Sequence, residues 1–148
     1  MRTPKLILFW VSFMSLFLTG CKKENEPINL VLWDKPLSVI QDYITGNWKL
    51  QYATGGLIYH KYIERHNSYM FLTPNHIILG NDSLGVVVGT TIMWVRAEIA
   101  NNEFTYLLGY SRLDYPWPEY DIVSQIKNDT LIIRDNLDDG YDYYYTKY

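Results

Sequence analysis

With 148 residues the chain is long enough for one domain with a sizeable core and too short for two. Thirteen Lys and Arg against sixteen Asp and Glu give a formal charge of −3, which argues against a nucleic-acid partner. A single cysteine excludes an intramolecular disulfide, so whatever folds here is held by packing alone.

Arg2 and Lys5 open the chain, and an apolar run from Leu6 to Leu18 follows, interrupted only by Ser12 and Ser15. Thr19, Gly20 and Cys21 come next. A charged start, an apolar run and small residues before a cut are the layout of a secretory signal peptide. As a helix that run spans roughly 20 Å, short of the ~30 Å hydrocarbon core, so a permanent transmembrane helix is the weaker reading. Leu18-Thr19-Gly20-Cys21 resembles the lipobox of bacterial lipoproteins, in which the Cys thiol is acylated before cleavage in front of it. The resemblance implies that residues 1–20 are a lipoprotein signal peptide and that Cys21 is the lipidated first residue of the mature protein. The alternative is an ordinary signal peptide with an incidental Cys. One acyl chain binds a membrane only marginally, whereas the diacylglyceryl group that a lipobox implies anchors it stably. Lys22 and Lys23 stand where inner-membrane retention usually wants Asp, so an outer-membrane location is expected, facing either the periplasm or the exterior.

Loss of residues 1–20 removes Arg2 and Lys5 and no acidic residue, leaving 11 Lys and Arg against 16 Asp and Glu, a mildly acidic −5. Residues 21–36 carry Pro27 and Pro36 and read as a lipid-anchored tether, with Leu30, Val31, Leu32 and Trp33 expected against the domain surface. The domain itself is expected over 37–148. From Leu37 to Ile44 the residues Leu37, Ile40, Tyr43 and Ile44 recur at three- and four-residue spacing, between Pro36 and Gly46. This is one short helix.

The remainder alternates with period two, as strands with one buried face do. Trp48, Leu50 and Tyr52 are expected on one face, Asn47, Lys49 and Gln51 on the other. Similar runs follow at Leu57–Glu64, Ser68–Thr73, His76–Leu79, Thr91–Ile99, Glu103–Tyr110, Tyr120–Lys127, Thr130–Arg134 and Tyr141–Lys147. Thr73-Pro74-Asn75, Asn81-Asp82-Ser83, Asn101-Asn102, Lys127-Asn128-Asp129 and Asp138-Asp139-Gly140 supply turn chemistry between them. All 14 Tyr lie beyond the signal segment, and such aromatic enrichment favours strands. The expected class is all-β, an up-and-down antiparallel barrel of eight or nine short strands preceded by one short helix. Closing the meander would remove its sticky edges.

Ile44-Thr45-Gly46-Asn47-Trp48-Lys49-Leu50 resembles the Gly-x-Trp start of lipocalin-like barrels, and Asn128 to Leu131 resembles a turn and strand of small lipocalin-like lipoproteins of Gram-negative bacteria. The resemblance implies that Trp48 closes the base of the barrel beneath a cation, for which Arg134 and Lys147 are the candidates. The second lipocalin motif is not evident, and a smaller β-sandwich is the alternative fold.

His60, Glu64 and His66 share a strand face at even offsets and invite a metal, against the plainer reading of three solvated residues on a strand or loop. Asp135, Asn136, Asp138, Asp139 and Asp142 surround Gly140 like a calcium loop, but Leu137 and Thr146 occupy positions that would need ligands, so a hairpin turn explains them better. No Gly-x-Ser-x-Gly elbow and no phosphate-binding glycine motif is present. No enzyme, no cofactor, no metal and no nucleic acid is therefore expected. Pro116 and Pro118 stiffen an extended segment that presents Trp117, a candidate contact residue for a partner. Tyr52, Trp94, Tyr106 and Tyr143 are the candidate walls of a ligand cavity. The leading expectation is a lipid-anchored module for a small apolar or amphipathic ligand. The alternative is a filled barrel that docks on an envelope protein complex.

Overall fold

The computed structural model describes residues 26–56, 68–82, 85–100, 103–112, 117–137 and 139–148. Cys21, the expected signal segment, and the His60, Glu64 and His66 set lie outside them. Pro36, extended at φ −56° and ψ 147°, leads into the one described helix, α1 (Leu37–Ile44). Its bounds are those read from the spacing. Ile40 and Ile44 are fully buried, while Tyr43 sits at the exposed margin of the apolar face. At its end both the N–H and the hydroxyl of Thr45 donate to the Gln41 carbonyl, which stops the last turn fraying. No helix among the described residues is long and apolar enough to cross a membrane.

Among the described residues there are ten strands: β1 (Asn29–Val31), β2 (Gly46–Gly55), β3 (Ser68–Leu72), β4 (His76–Asn81), β5 (Gly85–Thr91), β6 (Met93–Ala100), β7 (Glu103–Tyr110), β8 (Glu119–Lys127), β9 (Thr130–Asp135) and β10 (Tyr141–Lys147). The protein is all-β, with one short helix among the described residues. All ladders are antiparallel, in the order β5-β4-β3-β2-β10-β9-β8-β7-β6, with β1 added on β8. Between β8 and β9, Asn128 and Asp129 both take positive φ (49° and 60°), the backbone that a two-residue hairpin turn demands.

The ring of ladders is not closed, which corrects the expectation of a fully closed barrel. β5 and β6 are its two edges, yet only Ile92 separates them in the chain. Every step along the strand order is antiparallel, and an even number of steps leads from β5 to β6, so the two run in the same direction. Gly85–Ala100 is thus one bent path. Its first half pairs with β4 as far as His76↔Thr91, where β4 begins, and its second half pairs with β7 from Met93↔Gly109. At the bend the Ile92 N–H donates to the Asn75 carbonyl at 2.8 Å, and its side chain is buried in the core.

Both edges feed one interior. Trp48, Met70, Leu72, Ile77, Val88, Ile92, Leu108, Val123, Ile126, Leu131 and Ile133 form a single buried cluster together with Ile40 and Ile44 of the helix. Trp48 is 1% exposed, and its indole N–H donates to the Ile44 carbonyl at 2.6 Å. Lys147 supplies the cation over its ring, with Nζ 5.1 Å from the centroid. Arg134, the other candidate, instead grips Asp142 with two hydrogen bonds at 2.7 and 3.0 Å.

Two segments depart from the sequence-based expectation. Leu30 to Trp33 was expected against the outside of the domain, but Asn29–Val31 is a strand and Leu32 is fully buried in the core cluster. β7 pairs with β8 only at Leu107–Tyr110, which leaves Gln125–Lys127 unpaired on that side, and β1 occupies the vacancy. Ile28 N–H donates to Asp129 Oδ1 at 2.9 Å and Asn128 N–H to Asn29 Oδ1 at 3.0 Å, so the tether is clipped to the β8–β9 turn. The second departure is in β2. Tyr145 faces Leu50 and Tyr144 faces Tyr52, so Gln51 is an extra residue that breaks the alternation. Trp48, Leu50 and Ala53 are buried on one face, and the bulge turns Tyr52 to the other. There its ring stacks on Tyr144 at 4.3 Å.

Candidate functional site

A pocket of about 460 Å³ opens at the start of β8, where the inward parity of the strands brings polar residues into the core position. Its lining comes from Arg112 after β7, Trp117 to Asp121 entering β8, Asp135 to Leu137 leaving β9, and Tyr143 of β10. That volume lies within the range of small-molecule sites. The wall is mixed, aromatic on Trp117 and Tyr143 and carboxylic on Glu119, Asp121 and Asp135.

Strand register explains why the acids face inward. Asp121 lies opposite Leu108 of the core on one side and opposite Asp135 on the other. Directly opposed residues share a face, so both carboxylates lie on the core side of the sheet. Asp121 is only 8% exposed. Its Oδ2 accepts the Tyr110 hydroxyl at 2.9 Å. Asp135 Oδ2 accepts the Tyr141 N–H at 3.0 Å, which braces the β9–β10 turn. Arg112 Nη1 approaches Glu119 Oε1 at 3.4 Å. On the other face of the sheet Gly109 makes room for its cross-strand partner, because a Cβ there would meet the Tyr120 ring at 2.7 Å and the Met93 carbonyl at 2.8 Å.

Burial, first of all, raises the pKa of Asp121 from its ordinary 3.8 to about 7. The Tyr110 hydrogen bond pulls it down, and the charges of Asp135 and Glu119 push it up. Tyr110 is driven far above the usual phenol range, mainly by burial and then by the charges of Asp121 and Glu119, so it donates a hydrogen bond and stays neutral. The pair can accept a cation or share a proton near neutral pH. Among the described residues no three His, Cys, Asp or Glu side chains gather to hold a metal.

The residues singled out from sequence divide between several places. Tyr143 lines the pocket, and Trp117, 69% exposed, forms its mouth. Trp94 and Tyr106 pack against the core cluster, and the Trp94 indole N–H donates to the Pro74 carbonyl at 2.9 Å. Tyr52 is on the opposite face, for the bulge described above. These four therefore do not form one wall. Sequence reasoning missed the Tyr110–Asp121 pair and the inward placement of Asp135. The available signal was parity, since Asp121 is two residues before Val123 and Asp135 two after Ile133 on strands whose inward residues are otherwise apolar.

In comparisons with protein families, curated proteins and solved structures, the chain matches none.

Proposed function

We propose that the protein is a lipid-anchored, non-enzymatic envelope lipoprotein whose barrel-like domain binds a small amphipathic molecule. The observation that carries the reading is the pocket of about 460 Å³, whose lining combines aromatic and carboxylic residues beside the apolar core. Its position supports the same reading. The pocket is built on Glu119 to Asp121 at one end of β8, whereas the tether is clipped to Asn128 and Asp129 just beyond the other end. At about 3.3 Å per residue, β8 holds the two roughly 25 Å apart. The pocket and the tether thus lie at opposite ends of β8, which leaves the mouth clear of the tether.

Native mass spectrometry of the mature chain, purified gently from its host, tests this reading. A reproducible extra mass that leaves on denaturation is the expected result, and a bare protein mass counts against it. The anchor is tested separately. Cys21→Ser is expected to abolish labelling by a radioactive fatty acid, and labelling that persists would sink the lipoprotein assignment.

A second reading draws on two other facts. The middle and base of the domain are filled by Trp48, Met70 and Leu131, and Trp117 stands 69% exposed beside Pro118. Both suit a filled barrel that docks on an envelope protein through its aromatic rim. Crosslinking through a photoreactive residue at position 117 in living cells separates this reading from the first, because only docking gives a discrete adduct.

A further inference from the structure

Among the described lining residues, carboxylates outnumber cations three to one. Asp121 and Asp135 are direct cross-strand partners on the inward face, an arrangement of like charges that destabilises a sheet. Glu119 adds a third carboxylate to the same lining. The one cationic residue among the described lining residues is Arg112, whose guanidinium reaches toward Glu119. Arg134, beside Asp135 in the chain, faces the other way and is occupied with Asp142. Lys127 and Lys147 lie at the far ends of their strands. Asp121 is more than nine-tenths buried yet lines the cavity, so bulk water screens it poorly. Aromatic rings complete the wall, and a ring face attracts a cation as readily as it covers an alkyl chain.

We infer that the pocket selects an amphipathic cation, a protonated amine whose ammonium group sits between Asp121 and Asp135 while its apolar part lies against Trp117 and Tyr143. This inference rests on the binding reading proposed above and names the ligand class for it. A fatty acid or other amphipathic anion would bring a third or fourth negative charge into the same space and is rejected. An ammonium group offers three donors, enough to serve the two carboxylates and the rim together. The ordinary price of opposing two acids on a sheet is offset when that ligand is bound.

The test uses the mature protein as isolated from cells, held in phosphatidylcholine nanodiscs, with empty nanodiscs as the blank. Hexylammonium, hexanoate and hexan-1-ol are titrated calorimetrically at about pH 7.5, where the amine is protonated and hexanoate ionised. Hexylammonium is expected to bind about tenfold tighter than hexan-1-ol, with hexanoate the weakest. Asp121→Asn and Asp135→Asn are each expected to bring the amine-to-alcohol ratio close to unity. Because a ratio is read, a variant that merely loosens the pocket for every probe does not imitate the loss of charge. Hexan-1-ol or hexanoate binding as tightly as the amine overturns the cation assignment and leaves the pocket reading standing. Failure of all three to bind overturns the pocket reading itself, and the cation assignment with it.

Discussion

Replacing Asp121 by Asn should change stability in a pH-dependent way, with the sign fixed by its environment. The carboxyl is harder to ionise in the folded protein, at about 7, than at its ordinary 3.8. Folding is therefore favoured by this group below pH 4, and that advantage is lost as pH rises through 7. The interval corresponds, at 1.36 kcal/mol per pH unit, to roughly 4 kcal/mol at most. Asn keeps an oxygen that can accept the Tyr110 hydroxyl and removes the charge. Relative to the wild type, Asp121→Asn should gain stability between about pH 4 and pH 7 and level off above pH 8. Urea denaturation followed by tryptophan fluorescence across that range measures the difference, in which other titrating groups cancel. A difference that stays flat with pH would refute the reasoning, since it would mean that Asp121 ionises as easily in the folded state as in the unfolded chain.

Three further substitutions probe the frame around the site. Trp48→Ala should cost roughly 3–5 kcal/mol in chemical denaturation, for it empties the largest fully buried side-chain position and leaves the Ile44 carbonyl without its donor. A loss well below 1 kcal/mol would show that Trp48 is not the plug of the base. Gly109→Ala should destabilise by about 1–3 kcal/mol and displace the Tyr120 ring, because the new methyl group meets that ring and the Met93 backbone. An unchanged melting temperature and tyrosine spectrum would contradict this. Thr105→Val should be neutral or stabilising by about 1 kcal/mol, since the Thr105 hydroxyl is buried and has no partner. A large loss would mean that the hydroxyl makes a bond that its surroundings do not indicate.

Much of the fold was legible because burial on one face imposes period two. The helix was placed to the residue at both ends, and β7 and β10 were read with their observed bounds. The cation over Trp48 was narrowed to two residues, of which Lys147 holds the place. What was not legible has a common cause: it depends on which strand meets which. β5, Gly85-Val-Val-Val-Gly-Thr-Thr, was not read as a strand because its three consecutive valines and two glycines show no alternation. β1 is three residues long and forms only where β7 leaves β8 bare. The facing of Tyr52 turned on a bulge opposite Tyr144 and Tyr145, which no pattern inside β2 announces. The pocket was hidden for the same reason. Asp121 and Asp135 lie fourteen positions apart in sequence, about the length of two strands and a tight turn, and only register makes them neighbours.

The pairing of β2 with β10 has a consequence for the order in which the chain can assemble. Roughly 90 residues separate the partners, a span that places this ladder among the late events of folding. β1 likewise finds its place only once β8 has been made. A chain that folds from its amino end therefore waits with the edge of β2 bare until β10 arrives. Until Tyr141–Lys147 docks, β2 and β9 each offer an unpaired row of amides to any neighbouring chain. The final, tyrosine-rich strand thus acts as the latch of the assembly, and the interval before it closes is when the chain is most exposed to aggregation.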